Sequence, residues 1–173
     1  MLMRNEWNDT MLMDLYELTM ANGYWAGGHS QDLVAFDVFF RKNPDNGGYA
    51  IFAGLEQVLA YLENLHFSDQ DIAYIRSLNL FPESFLSYLK DFSFKGDVYA
   101  FPEGSVIYPN EPIMTIVAPL IDAQIIETFV LTQINHQSLI ATKAARVVRA
   151  AKGRGVADFG ARRAHNVDAA VYG

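Results

Sequence analysis

Cysteine is absent from all 173 residues, so the chain has neither a disulfide framework nor a thiolate metal site. Long uncharged apolar runs are also missing, because charged side chains interrupt each of them, and a membrane-spanning helix is therefore not expected. The first ten residues include Arg4, Glu6 and Asp9 and lack the apolar core of a signal peptide. These absences predict a cytoplasmic protein, and a hydrophobic content of 51% is sufficient for a buried core.

Several motifs of nucleotide and ester chemistry are also missing. The sequence contains no Gly-Lys-Ser/Thr phosphate loop, no Gly-x-Gly-x-x-Gly fingerprint and no Gly-x-Ser-x-Gly elbow. Its four histidines, His29, His66, His136 and His165, are scattered without the spacing of metal ligands. We therefore predict no metal site and no tightly bound cofactor.

The charge of the chain is unevenly distributed. A formal net charge of −7 argues against general binding to nucleic acid. Seven of the 13 basic residues nevertheless follow residue 142, where only Asp158 and Asp168 oppose them. This pattern fits a local anionic ligand on an acidic body, but taken alone it favours the simpler interpretation, a helix with a solvated basic face.

Hydrophobic periodicity and turn residues predict an α/β protein. Asp14 and Glu17 have the spacing of a capping box at a helix start, and Ser68 and Pro82 open further helices. Helix is also predicted over 55–62 and over most of 121–152, with an interruption near 135–138. Strands are predicted over 34–40, 97–101, 105–108, 113–118 and 156–159. A boundary near 119–122 separates domain 1–120 from domain 121–173, because there the short strands give way to a helix, a glycine turn and a buried strand, as in a barrel or a doubly wound sheet.

The predicted strand 156–159 leads into the most informative candidate site. Strand ends in parallel α/β folds carry chemistry, and here Gly160 is followed by Arg162 and Arg163. Paired guanidinium groups suit a carboxylate or a phosphate, which arginine binds through two parallel hydrogen bonds. Phe159 either packs in the strand core or offers an exposed ring beside the arginines, and its place just before Gly160 favours the second interpretation.

Two residues on predicted helices are weaker candidates. Tyr16 lies just inside a helix start, where backbone N–H groups favour anions and an aromatic ring could stack on a flat ligand. Ordinary core packing with Leu15 and Leu18 explains Tyr16 equally well, and the spacing alone favours it. Glu127 sits among apolar residues, so it is either a buried functional carboxylate or, more simply, a satisfied structural one.

Four segments of the chain together resemble the nicotinate phosphoribosyltransferase family. The segments are Asp14–Met20, Phe40–Pro44 with Gly48–Glu56, Gln137–Arg146 and Asp158–Ala164. They occur in this order and with sensible spacing between about residues 14 and 168. The resemblance implies an N-terminal α/β domain followed by an irregular α/β barrel of the type II phosphoribosyltransferase kind. It also implies a homodimer that makes nicotinate mononucleotide and pyrophosphate from nicotinate and phosphoribosyl pyrophosphate, assisted by ATP and Mg²⁺.

The resemblance further implies roles for five residues. Tyr16, supported by Asp14, would reach into the partner's site, and Phe159 would form the opposite face of a sandwich around the pyridine ring. Arg162, with Arg163, would hold the nicotinate carboxylate or the product phosphate. Family chains are considerably longer, so the barrel is expected to be incomplete here and the phosphate-binding loops and the phosphorylated histidine to lie outside this sequence. A nicotinamide-specific relative, or an inert truncated fragment that dimerises and binds ligand weakly, is the alternative.

Overall fold

The computed structural model describes residues 9–173, which form both helices and strands. The α-helices are α1 Leu15–Ala26, α2 Leu55–Asn64, α3 Asp69–Ser77, α4 Glu83–Lys90, α5 Leu120–Ile125, α6 Glu127–Ala151 and α7 Val167–Tyr172. The strands are β1 Leu33–Val38, β2 Ala50–Ile51, β3 Asp97–Ala100, β4 Val106–Ile107 and β5 Met114–Pro119, and short 3-10 turns occupy Asp9–Met11, Pro44–Asn46 and Ala161–Arg163. Within residues 9–173 no helix is both long and apolar enough to cross a membrane.

The strands form one three-stranded and one two-stranded sheet. The larger sheet has the order β1-β5-β3, and β5 buries every second side chain, as a strand with one covered face should. The backbone N–H of Leu120 donates to Asp32 O, and that of Ile113 donates to Val38 O, each at 2.8 Å. Because these pairs run in opposite directions along the chain, β1 and β5 are antiparallel.

The described chain divides into two compact units. The first contains residues 9–36, Glu56–Tyr99 and Thr115–Leu131. The second contains Asp37–Leu55, Ala100–Met114 and Thr132–Gly173. Neither unit is a single continuous segment, and the predicted division into domains 1–120 and 121–173 stays a prediction.

Helical packing dominates the core of the first unit. Its fully buried apolar side chains include Ala21, Val58, Ile75, Phe85, Leu86, Leu89, Ile121 and Ile125. The ring of Tyr61 on α2 stacks on Phe129 of α6, with ring centroids 3.7 Å apart. The apolar face of α2 follows the helical spacing that predicted this helix, because a helix is stabilised mainly by burying such a stripe. The helices α3 and α4 were predicted from their start signals at Ser68 and Pro82.

The second unit is built around the two-stranded sheet and α6. Strand β2 pairs antiparallel with β4, and Ala50 lies opposite Ile107. Both of these side chains are buried, together with Phe52, Ile113 and Ile134. This small core positions the segment that connects β2 to α2.

The predicted start of α3 at Ser68 is confirmed, and Ser68 forms a capping box there, whereas the capping box predicted for α1 is wrong. Ser68 Oγ accepts a hydrogen bond from Asp71 N at 3.2 Å, and Asp71 Oδ2 accepts one from Ser68 N at 2.8 Å. Asp14 does occupy the N-cap position of α1, but its side chain makes no capping hydrogen bond. The carboxylate of Glu17 is unavailable for the reciprocal bond because it binds Thr128 at the start of α6.

The predicted interruption near residues 135–138 is also misplaced. Helix α6 is continuous through this segment, and the break lies at Ile126, between α5 and α6. Short polar side chains such as Ser138 weaken a helix when they bond their own backbone. Ser138 instead directs its hydroxyl to the backbone of Ala53, so the helix continues.

The predicted strand at 156–159 is not formed. Residues 154–160 have no regular secondary structure, and the side chain of Phe159 is 76% exposed. An extended segment becomes a strand only when a neighbouring strand accepts and donates its backbone hydrogen bonds, and within the described residues both sheets are made by β1 to β5 alone. The prediction correctly recognised an apolar extended segment but assumed a partner that these residues do not supply.

Candidate functional site

Tyr16 lies in the first turn of α1, with its ring partly open to solvent. The side chain is 43% exposed, so the core-packing interpretation accounts for only part of it. Partial burial, followed by the influence of the Glu127 carboxylate at the start of α6, raises the pKa of the Tyr16 phenol to about 12. Tyr16 is therefore a neutral donor at every physiological pH.

Glu17, the next residue of α1, is completely buried. Its Oε1 accepts hydrogen bonds from both the backbone N–H of Thr128, at 3.0 Å, and the Thr128 hydroxyl. Its Oε2 has no hydrogen-bond partner among the described residues. Burial raises the pKa of Glu17 to about 7, although the bonds from Thr128 oppose the shift. Glu17 thus caps the N-terminus of α6 from a helix more than a hundred residues earlier in the chain.

The surroundings of Tyr16 are acidic rather than anion-attracting. Asp14 and Glu17 flank it on α1, and these two carboxylates and that of Glu127 all help to raise the pKa of its phenol. Gln124 Nε2 donates to Glu127 Oε2 at 3.1 Å, which holds that carboxylate in place. A free anion is disfavoured beside these carboxylates, so what Tyr16 offers a ligand is the face of its ring.

Phe159 and Arg162 are brought together by a short turn in the second unit. Asp158 Oδ1 accepts from Gly160 N at 2.7 Å, and Arg163 N donates to Gly160 O at 2.7 Å, which closes the 3-10 turn. Arg162 Nη1 donates to the carbonyl oxygen of Phe159 at 2.8 Å. A guanidinium has five N–H donors, so Arg162 retains most of them for an anion.

The five predicted site residues fall into two local groups. Asp14 and Tyr16 lie in the first unit, and Phe159, Arg162 and Arg163 lie in the second. All five side chains are exposed to solvent. Their shared role in ligand binding stays a prediction.

A row of polar side chains along α6 orders the segment after β2, and the sequence analysis missed its role. Thr142 Oγ1 accepts from Ile51 N at 2.8 Å and donates to Ser138 O at 2.6 Å. Ser138 Oγ accepts from Ala53 N at 3.1 Å. Both side chains are fully buried, and their spacing of four residues was the available signal, since it places them on one helix face.

Arg146 extends this row by one more turn and fixes the loop before β2. Its guanidinium donates to Asp45 Oδ2 at 3.3 Å and to the carbonyl oxygens of Pro44 and Tyr49, each at 3.4 Å. Gly47 allows the close approach, because a Cβ there would lie 1.8 Å from Arg146 Nη2. Part of the basic C-terminal charge is thus structural, and Arg146 is not free for a ligand.

The first unit also contains a cavity of about 240 Å³, lined by residues that include Tyr88, Asp91, Lys95 and Asp122. None of the predicted site residues lines this cavity. Burial raises the pKa of Asp122, whose Oδ2 accepts from Lys95 N at 2.9 Å. Between residues 9 and 173, no group of three or more His, Asp or Glu side chains is arranged to hold a metal ion.

Comparison with known proteins identifies relatives that match most of the chain. A family model described as the nicotinate phosphoribosyltransferase N-terminal domain matches residues 11–135. A nicotinate phosphoribosyltransferase of Mycobacterium tuberculosis is 54% identical over 160 residues, which cover 92% of this chain and 34% of the relative. The enzyme of Bacillus subtilis is 46% identical over 160 residues, which cover 92% of this chain and 33% of the relative.

A solved structure agrees with these sequence matches. The crystal structure of human nicotinic acid phosphoribosyltransferase matches with a TM-score of 0.84 and 34% identity, over 94% of this chain and 33% of that one. The chain therefore spans about a third of the length of the relatives it matches, and the expected mixed α/β fold class is confirmed. Since the family model covers more than half of the residues, the chain belongs to the nicotinate phosphoribosyltransferase family.

Proposed function

We propose that this chain supplies the N-terminal part of a nicotinate phosphoribosyltransferase of NAD salvage. In this reaction the pyridine nitrogen of nicotinate forms a bond to C1 of phosphoribosyl pyrophosphate, and the C1–O bond to pyrophosphate breaks. Identity of 54% to a nicotinate phosphoribosyltransferase over almost the whole chain is the observation that carries the proposal. The same proposal places the protein in the cytoplasm, makes it a homodimer and has ATP assist the reaction.

The candidate residues divide the recognition of nicotinate between ring and carboxylate. Tyr16 and Phe159 contribute aromatic faces for the pyridine ring, and this is supported by their exposure to solvent, which is 43% for Tyr16 and 76% for Phe159. Arg162 and Arg163 receive the carboxylate, because a guanidinium binds it through two hydrogen bonds whereas the carboxylates around Tyr16 repel it. Nicotinamide has no carboxylate, so this arrangement favours nicotinate over a nicotinamide-specific activity.

ATP and Mg²⁺ are assigned to no residue of this chain. Residues 9–173 contain no cluster of carboxylates and imidazoles suited to a divalent cation. The exposed basic residues between Lys143 and Arg154 give at most a weak, salt-dependent attraction for phosphate groups. We therefore expect the isolated 173-residue chain to make less than one molecule of nicotinate mononucleotide per molecule of protein.

A chimera tests the proposal directly. In it, this chain replaces the corresponding first third of the Mycobacterium tuberculosis relative, and product formation is measured with nicotinate or nicotinamide, phosphoribosyl pyrophosphate, ATP and Mg²⁺. The controls are the unaltered relative, the relative without its first third, and the isolated chain with its intact mass verified. We expect the chimera to turn over nicotinate and the last two controls to be inactive. A folded, inactive chimera would contradict the proposal, and a preference for nicotinamide would support the nicotinamide-specific alternative.

A further inference from the structure

We propose that Asp158 is a positioning residue, whose carboxylate folds the turn that presents the ring of Phe159 and the guanidinium of Arg162 to the ligand. The identity of that ligand, nicotinate, rests on the proposed function. The turn itself does not rest on it, because all of its hydrogen bonds lie within residues 158–163 of the second unit.

Asp158 closes a turn around Phe159. Its Oδ1 accepts a hydrogen bond at 2.7 Å from the backbone N–H of Gly160, two residues further along the chain. A side chain that bonds the backbone in this way takes the place of a backbone carbonyl in a turn, and it restricts the dihedral angles of the residue between. That residue is Phe159, so the carboxylate of Asp158 limits the directions of both its ring and its carbonyl oxygen.

The ring of Phe159 has little else to orient it. It is largely exposed, so packing against the described residues restrains it only slightly. Residues 154–160 also lack the regular secondary structure that would fix their backbone. In such a segment a side-chain hydrogen bond to the backbone is a main source of order, because it restricts rotations that are otherwise free. Asp158 is itself exposed, so its removal leaves no buried group unpaired.

The same turn directs Arg162. The carbonyl oxygen of Phe159 accepts a hydrogen bond from Arg162 Nη1 at 2.8 Å. The next bond of the turn, from Arg163 N to Gly160 O, is 2.7 Å long. With Nη1 held, the Nε–Nη2 edge of the guanidinium remains, and its parallel N–H groups are a pair of donors that a carboxylate accepts. The contacts that begin at Asp158 thus reach both the aromatic face and the carboxylate donor.

Gly160 is the residue that this turn requires. A Cβ at position 160 would lie 2.8 Å from Asp158 Oδ1, so the carboxylate would have to move away from the backbone N–H that it accepts from. The dihedral angles of Gly160, φ −86° and ψ −13°, are open to alanine, and the atoms nearest to such a Cβ all belong to Asp158. Gly160→Ala should therefore break the same hydrogen bond as Asp158→Ala.

The charge of Asp158 offers a competing explanation. A carboxylate beside Arg162 and Arg163 could act as their counter-ion without folding any turn. Asparagine separates the two roles, because it keeps a side-chain oxygen for Gly160 N and carries no charge. A positioning role predicts that Asp158→Asn resembles the parent, whereas a counter-ion role predicts that it resembles Asp158→Ala.

The turn can be tested in the 173-residue chain without substrate. The 12 glycines are labelled with ¹⁵N, and the Gly160 amide signal is assigned by its loss in Gly160→Ala. We expect Asp158→Ala to move the amide proton signal upfield and to speed its hydrogen exchange, because the acceptor is gone. Asp158→Asn should preserve both. Glu111→Ala, which removes an exposed carboxylate between β4 and β5, is the matched control and should leave the signal unchanged.

The consequence for binding is measured in the chimera. Asp158→Ala and Gly160→Ala should each raise KM for nicotinate roughly three- to tenfold, the range expected when a side chain loses its pre-ordering, with kcat nearly unchanged. Their combination should add little, because both break one hydrogen bond. A loss of folded enzyme would instead lower kcat and leave KM as it was, so this split distinguishes positioning from structural support. Asp158→Asn should keep KM close to that of the parent.

The outcomes separate this inference from the proposed function. An unmoved Gly160 signal in Asp158→Ala overturns the positioning role, whatever the chimera does. In an active chimera, an unchanged KM for Asp158→Ala also overturns it, and so does an Asp158→Asn variant that is as impaired as Asp158→Ala. If the unsubstituted chimera is folded but inactive, the proposed function fails, while the Gly160 signal still decides whether Asp158 folds the turn.

Discussion

Replacing Glu17 with glutamine should remove a pH dependence that this one carboxylate imposes on the stability of the first unit. Glu17 is fully buried, and burial raises its pKa from an ordinary value of 4.5 to about 7. Its Oε2 finds no partner in the described part of the chain, so the ionised form is poorly compensated. Glutamine has the same shape and stays neutral at every pH.

The direction of the effect follows from proton binding. Below pH 4.5 the carboxyl group is protonated in both the folded and the unfolded chain. Between pH 4.5 and 7 the folded state keeps a proton that the unfolded state has lost, so the free energy of unfolding falls as the pH rises. Two pKa values of 4.5 and about 7 give a loss of about 2.5 kcal/mol between pH 5 and pH 8.

Urea unfolding at pH 5, 6, 7 and 8 measures this loss. Trp25 lies against Phe85 in the first unit, with ring centroids 6.0 Å apart, and its fluorescence reports unfolding in a Trp7→Phe background. The quantity to compare is the difference in unfolding free energy between Glu17→Gln and its parent. Both proteins contain the same histidines, so the contribution of histidine titration cancels in this difference. We expect that difference to move in favour of the variant by about 2.5 kcal/mol from pH 5 to pH 8. Glu63→Gln, on the surface of α2, should show no such change. An equal pH dependence in Glu17→Gln and its parent would refute the reasoning.

Three further predictions concern the second unit and the proposed dimer. In the chimera, Arg162→Ala should raise KM for nicotinate by roughly a hundredfold or abolish turnover, since a paired carboxylate is lost; Arg76→Ala, which removes a surface arginine that pairs with Glu83, is the control, and near-normal kinetics for Arg162→Ala would contradict the assignment. Mixed dimers of Tyr16→Ala and Arg162→Ala subunits should regain part of the activity, because one hybrid site keeps both residues; recovery should be absent if both act in one subunit's site. Thr142→Val should destabilise the second unit by about 1–3 kcal/mol and speed hydrogen exchange at the Ile51 amide, which loses its acceptor; unchanged exchange would exclude this role.

Local patterns in the sequence were sufficient for most helices and for the antiparallel strands. The start of α3 at Ser68 is predicted correctly because a capping residue and the helical turn that it caps are adjacent in the sequence. The arginines after Gly160 were identified from residue type and position alone. The family was also recognisable, since its motifs are short segments whose order survives without any knowledge of their contacts.

Long-range partners were decided only by the tertiary structure. Glu17 has the spacing of a capping residue for its own helix, yet it caps α6 because Thr128, 111 residues away, competes successfully for its carboxylate. Ser138 is a residue type that weakens helices, yet the helix continues because its hydroxyl bonds to the backbone of Ala53. Residues 156–159 have the composition of a strand, yet they form none because no neighbouring strand among the described residues pairs with them. In each case the sequence specifies what a group can bind, whereas packing determines which partner comes within the roughly 3 Å that a hydrogen bond requires.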